Sequence, residues 1–204
     1  YNKLSDSQKE NALPIQPGDV KWKDVNGDGV IDNYDMVKVG NTVPKWTGGF
    51  NTELSWKGIS LGIQLEARYG NKVLNQDRSL FEADGSYGDS NIWKGALNYW
   101  KKPGDTNVLP KPIYNNSSNS SQISTRYLED GSYLRIKDIT LAYNLPSKWT
   151  KKALMSGVRI YASALNLYTF HNMNYWDPEH GTTGATIISY PMTRSMIVGV
   201  DITF

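Results

Sequence analysis

Apolar and polar residues alternate along this chain over stretches longer than an ordinary strand needs. From Trp46 the even positions read Trp46, Gly48, Phe50, Thr52, Leu54 and Trp56, and the odd positions Thr47, Gly49, Asn51, Glu53, Ser55 and Lys57. Period two with one oily and one polar side predicts a strand facing two different solvents. Lys57-Gly58 reads as a two-residue turn. After it Ile59, Leu61, Ile63, Leu65, Ala67 and Tyr69 share one side, and Ser60, Gly62, Gln64, Glu66 and Arg68 the other. A two-residue loop pairs Trp56 with Ile59. That register sets Phe50 opposite Leu65, Trp46 opposite Tyr69, Thr47 opposite Arg68 and Asn51 opposite Gln64. A slip of one residue would mix the two faces. Each run holds 11 or 12 residues; common strands hold about 5–6 and bilayer-crossing strands roughly 9–11. Trp46, Trp56 and Tyr69 stand at the run ends, where interfacial aromatics belong.

The C-terminus repeats the pattern. Over 194–204, Met196, Val198, Val200, Ile202 and the terminal Phe204 share one face; Ser195, Gly199, Asp201 and Thr203 share the other, with Ile197 the exception. Two further strands are expected at 133–145 and 158–168. The first changes phase around Arg135–Asp138, which predicts a bulge, and the second blurs at Leu165 and Leu167. Connections differ in length. Lys57-Gly58 is minimal, Pro146–Gly157 is moderate with room for one or two helical turns over Ser147–Leu154, and 70–132 is very long. Within 70–132, Ser90–Lys101 has the capping residue and apolar spacing of a short helix, and Asn115–Gln122 is low in complexity. Short turns on one side and long loops on the other is the asymmetry of outer-membrane barrels. The fold expected is all-β: about five antiparallel transmembrane strands, a segment of a larger barrel. Residues 1–45 form an extracellular loop, and 46–204 carry the strands 46–57, 59–69, 133–145, 158–168 and 194–204 around the long loop 70–132.

Composition narrows the function classes. The chain has 204 residues, with 22 Lys+Arg against 20 Asp+Glu. That balance gives no support to a nucleic-acid binder. Cysteine is absent and histidine occurs twice, which excludes disulfide frameworks, thiolate chemistry and Cys-ligated zinc. The mean hydropathy of −0.53 reads as soluble, but an average is blind to alternating membrane strands. The chain starts at Tyr1 with no basic-then-apolar leader, so it reads as a mature fragment or the tail of something longer.

One segment carries metal chemistry. Asp24, Asn26, Asp28, Asp32 and Asp35 place side-chain oxygens at positions 1, 3, 5, 9 and 12 of a twelve-residue loop. Gly29 stands at the sharp-turn position, and Val30 would offer its carbonyl. This is the EF-hand spacing for a structural Ca²⁺ ion, with Asp in place of the terminal Glu. Four carboxylates so close repel one another unless a hard cation lies between them. Such loops with a terminal Asp are familiar from dockerin modules, which carry two copies; this chain has one. The bland alternative is a solvated acidic turn.

Other features read as ordinary. His171 and His180, with Asp177 and Glu179, are expected to be polar loop residues rather than a metal site. Glu53 and Glu66 are offset across the hairpin, lumen-facing with Asn51, Gln64 and Arg68, near Lys57, and not an acid pair. Trp93, Tyr99 and Trp100 anchor a loop helix more readily than they stack on sugar, and the sequons at Asn116 and Asn119 reflect composition. No nucleophile elbow, P-loop or dinucleotide fingerprint occurs.

Several ordered motifs then carry a resemblance. PGDVKWKDVNGDGVIDNYDMVKVGNTVPKWTGGFNTELSWKGISLGIQLEARYGNKV, YLEDGSYLRIKDITLAYNLP, VRIYASALNLYTF and SMIVGVDITF resemble the C-terminal part of SusC/RagA-type TonB-linked outer-membrane proteins. The resemblance spans roughly Pro17 to Phe204. It implies a barrel of about 22 strands closed by a plug, energised uptake of glycans or peptides through TonB, and a SusD-like surface lipoprotein as lid. It also implies the outer membrane of a Bacteroidetes-type bacterium, and a terminal aromatic strand read by the barrel-assembly machinery. The plug and TonB box are not within this sequence, so the segment is not expected to transport alone. It would supply barrel wall, loops and one Ca²⁺ clip against outer-membrane lipid, with no covalent chemistry. Two other readings compete: a soluble calcium-dependent carbohydrate-binding or adhesion sandwich, and a glycan-active enzyme. Long strands with aromatic ends argue against the sandwich, and the lack of an acid pair argues against the enzyme.

Overall fold

The computed structural model describes residues 16–82, 84–86, 91–114, 120–179, 185–186, 190 and 192–204. His180, Asn116, Asn119, Ser90 and the first fifteen residues lie outside them. The chain divides into two compact units, Tyr1–Gly40 with Asn75–Leu128, and Asn41–Leu74 with Glu129–Phe204.

The second unit is built on a five-stranded sheet. Its strands are β1 (Trp46–Trp56), β2 (Ile59–Tyr69), β5 (Tyr133–Asn144), β6 (Gly157–His171) and β8 (Ser195–Thr203), in the order β1-β2-β5-β6-β8. Three short strands, β3 (Lys72–Asn75), β4 (Leu128–Asp130) and β7 (Ala185–Thr186), form a second sheet in the order β4-β3-β7. Every neighbouring pair in the large sheet is antiparallel. The hairpin register is the one the alternation dictates, from Trp46 opposite Tyr69 to Trp56 opposite Ile59. Its turn has positive φ at both central residues, 47° at Lys57 and 89° at Gly58. That is the twist-matching turn of a tight hairpin, and glycine is well suited to it.

The bulge falls where the phase change places it. On β5 the register shifts between Ile136 and Asp138, against both β2 and β6. On β6 the matching irregularity includes Asn166, at φ 50°, which accounts for the blurred pattern at Leu165–Leu167. Past the bulge Tyr168 and Phe170 return to the apolar face, so β6 runs to His171, three residues beyond the expected end.

The sheet is inside out. Its apolar face carries Phe50, Leu65, Ile139, Ala164 and Met196 across the five strands, and none of its side chains is buried. Phe50 is 58% exposed, Leu54 62% and Val198 79%. The buried residues of these strands are Tyr133, Arg135 and Ala142, all on the polar face. A water-soluble sandwich would bury the oily side first, since roughly 25 cal/mol is gained per Å² of apolar surface removed from water. Trp56, Tyr143 and Phe204 mark one end of this face, and Trp46, Tyr69, Tyr168 and Phe170 the other. Short connections lie at the first end: the hairpin, and 145–156 with α2 (Ser147–Thr150) and a 3-10 turn at Lys151–Ala153. The long connections leave from the second end.

The first unit contains α1 (Gln76–Glu82), capped by the Asn75 side chain, which accepts from the Arg78 N–H at 3.0 Å. The helix expected over Ser90–Lys101 is reduced to a 3-10 turn at Lys94–Leu97. Trp100 does not join it. Its ring lies against Gly18, where a Cβ would come within 2.6 Å, and its backbone N–H donates to the Leu109 carbonyl at 2.8 Å.

Candidate functional site

The polar face of the large sheet is organised by cross-strand pairs, the usual unit of sheet stabilisation. Glu66 on β2 accepts from the Tyr133 hydroxyl at 2.8 Å, pairs with Lys137 at the bulge, and lies 3.7 Å from Arg68. Thr140 donates to Asp138 at 2.8 Å, and Ser163 donates to the other oxygen of Asp138 at 3.0 Å. Arg159 opposes Asp201 at 3.3 Å. Arg135 is fully buried. Its Nε donates to Thr169 Oγ1 at 2.9 Å, and its two terminal nitrogens hold Glu179 and Asp177. A buried guanidinium needs such pairing, because an uncompensated buried charge is costly.

The expected lumen residues fall on this face. Asn51 opposes Gln64, Glu53 opposes Gly62, and Glu66 and Arg68 stand beside Gly49 and Thr47. Asn51, Glu53 and Gln64 are exposed, while Glu66 and Arg68 join the network. Lys57 does not reach them; its ammonium sits 4.6 Å over the Trp56 ring, because the turn sends it toward the aromatic end. Asp177 and Glu179, weighed as metal partners of His171, are engaged by Arg135.

The acidic loop forms a chain of side-chain turns. Asp24 accepts from Gly27 N at 2.6 Å and Gly29 N at 2.8 Å, Asn26 from Asp28 N at 3.0 Å, and Asp28 from Val30 N at 2.8 Å. Gly27 and Gly29 have φ of 78° and 86°. A capping box joins Asp32 and Asp35 around a 3-10 turn at Asn33–Asp35. N–H donors of Asp32 and Val25 hold Asp35 below the usual carboxylate range. Residue types and turn positions therefore suit a hard cation. The oxygens, however, are turned onto backbone amides, and no three acidic or histidine side chains converge among the described residues.

A second polar cluster, in the first unit, has no signature in sequence spacing. Arg126 donates to both oxygens of Asp84 and, at 3.0 Å, to Glu82. Arg78 donates to Glu82 at 2.5 Å and to the Arg126 carbonyl at 3.1 Å. Glu82 and Asp84 are buried. Burial opposes charge on Arg126, but the Asp84 carboxylate outweighs it and raises the guanidinium pKa. Tyr127 is fully buried, and burial pushes its hydroxyl up to about 12.

No family model matches the chain. TonB-dependent receptor P3 of Formosa agariphila is 31% identical over 199 residues, covering 92% of this chain and 19% of that protein. TonB-dependent receptor SusC of Bacteroides thetaiotaomicron is 22% identical over 204 residues, 96% of this chain and 18% of that protein. The RagAB peptide importer in its closed-closed state superposes with a TM-score of 0.73 at 30% identity, over 92% of this chain and 20% of that one. The chain belongs to the SusC/RagA-type TonB-dependent receptors. It spans about a fifth of the length of the curated relatives it matches. The five antiparallel strands are thus a segment of a receptor β-barrel. The inside-out burial follows from that: in such a barrel the interior is polar and the outer face apolar.

Proposed function

We propose that this receptor segment is barrel wall of an outer-membrane importer of glycans or peptides, working with a SusD-like surface lipoprotein and powered through TonB. One observation carries the reading: an unburied apolar face, 11 residues tall on β1 and β2, bounded by aromatics at both ends and backed by a charged, hydrogen-bonded face. The apolar side meets lipid, with Trp46, Trp56, Tyr69 and Phe204 at the interfaces. Asn51, Glu53, Gln64, Glu66 and Arg68 face the lumen. The long connections lie outside the cell, and substrate passes along the polar face after plug movement. No side chain acts as nucleophile or general acid. The test uses the full-length receptor. It should fractionate with the outer membrane, and its deletion should abolish uptake of one class of oligosaccharide or peptide. Recovery in the soluble fraction would remove the reading.

We also propose that the 24–35 loop takes one Ca²⁺ ion, with Asp24, Asn26, Asp28, Asp32 and Asp35 side chains and the Val30 carbonyl as ligands. The EF-hand spacing and the left-handed Gly29 support it. Coordination would require the carboxylates to exchange backbone amides for the ion, and the ion's role would be to fix an extracellular loop.

A further inference from the structure

On the polar side of β6 a pocket of about 270 Å³ lies between the bulge and the segment that follows the strand. Asn166, Thr169, His171 and Arg194 line it from the strands and their approach, and Tyr175, Trp176 and Asp177 from the segment. We propose that this pocket is a saccharide subsite, taking one sugar ring of a glycan. The proposal deepens the importer reading and rests on it.

Three observations carry it. The pocket is held in shape. Arg135 fastens Asp177 and Glu179, and Glu129 accepts from the Asn174 N–H at 2.7 Å and from its side-chain amide at 3.2 Å. Met173 and Pro178 are buried, so segment 172–179 packs as a fixed wall. Asn166, at φ 50°, takes left-handed backbone readily as the bulge residue; Tyr175 holds it at φ 69°, which a bulky side chain disfavours. Strain of this kind persists only where surrounding structure over-determines it, and it gathers at ligand sites; bulges likewise re-aim side chains there. Finally, the lining chemistry is mixed. Two aromatic residues stand beside donors and acceptors of both kinds. Arg194 makes no ion pair among the described residues.

A sugar ring matches that mixture, since its C–H face suits an aromatic wall and its hydroxyls both donate and accept. A purely apolar ligand would strand the polar groups, and a phosphate would meet the Asp177 carboxylate. An extended peptide would seek a free strand edge, but β6 is paired on both sides, by β5 and β8.

The test is calorimetric titration of the purified full-length receptor with glucose-, galactose- and mannose-based trisaccharides, and with trialanine. At least one trisaccharide should bind, and Trp176→Ala should weaken it about tenfold through the lost ring contact. Trp176→Phe keeps the ring and should weaken it less, while Trp93→Ala, in the other unit, should not. Arg135 is a positioning residue. Arg135→Lys should lower affinity and make segment 172–179 more protease-sensitive. Three results would each overturn the subsite: no trisaccharide binding, binding indifferent to both Trp176 variants, or Trp176-dependent binding of trialanine alone. If the receptor gene still proves necessary for nutrient uptake, only the pocket assignment falls. If uptake is unchanged by deleting the gene, the importer reading falls as well.

Discussion

Placing one arginine at different heights on β1 tests what the apolar face touches. The strand has 11 residues, so ten steps of about 3.4 Å at a tilt of about 40° carry it roughly 26 Å along the membrane normal, close to the apolar band of about 25 Å. Phe50 lies four residues from Trp46, about 10 Å inside one boundary; Leu54 lies two residues from Trp56, about 5 Å inside the other. Both are more than half exposed in the segment, so packing loss is a small part of any effect. Phe50→Arg should therefore cost about 2–4 kcal/mol, and Leu54→Arg nearer 1 kcal/mol, because the cost of a charge falls off toward the interface. Asn51→Arg, one residue along and on the polar face, should cost little. The assay is guanidinium unfolding of the full-length receptor in phospholipid vesicles, followed by tryptophan fluorescence. Equal costs at Phe50 and Leu54, or a larger cost at Asn51, would refute a lipid-facing surface.

Other outcomes follow from the loops. Arg126→Met leaves buried Asp84 without its cation and Glu82 with Arg78 alone, so the unit holding 75–128 should lose about 3 kcal/mol, read as faster amide hydrogen exchange there and not in β1 or β2. Tyr127 ionises more readily unfolded, near 10, than folded, near 12. Stability of that unit should fall as pH rises between those values, and Tyr127→Phe should remove the dependence without harm at neutral pH, since the hydroxyl has no partner among the described residues. Asp35 titrates below its unfolded value of 3.8, so the order it lends the 24–35 loop should persist above that pH and be lost as pH drops through the lowered value, monitored by amide exchange. With calcium, Tb³⁺ luminescence sensitised through Trp22 or Tyr34 should appear and be competed by Ca²⁺. Proteolysis near residues 20–40 that is indifferent to EGTA would count against the ion.

What could be read from the sequence was whatever depends on near neighbours along the chain. A two-residue turn and a period-two pattern determine every pair of the β1–β2 hairpin, and the phase change at Arg135–Asp138 locates the bulge, because both are local facts about a pleated strand. The polar network was legible only as a face. Arg135 meets Asp177 and Glu179 more than forty residues away, and Arg126 meets Asp84 across a comparable gap; no spacing rule connects such partners. The helix Gln76–Glu82 buries Asp77 and Glu82 rather than an apolar stripe, which leaves no 3.6-residue hydrophobic signal in the sequence. The weaker pattern over Ser90–Lys101 looked more helical and gave only a 3-10 turn, with Trp100 packed on Gly18. In the acidic loop the spacing was plain, but spacing does not say whether the oxygens turn toward an ion or toward backbone amides.

The most direct test of the lipid-facing surface is a cysteine scan of residues 46–56, a stretch with no native cysteine. Spin labels at each position in the full-length receptor, in bilayers, would be compared for collision with oxygen and with a water-soluble nickel chelate. Oxygen access should alternate with period two, high at even positions and greatest near Phe50, with the nickel chelate favouring odd positions. Even positions shielded from both reagents would show the apolar face packed against protein and contradict the account.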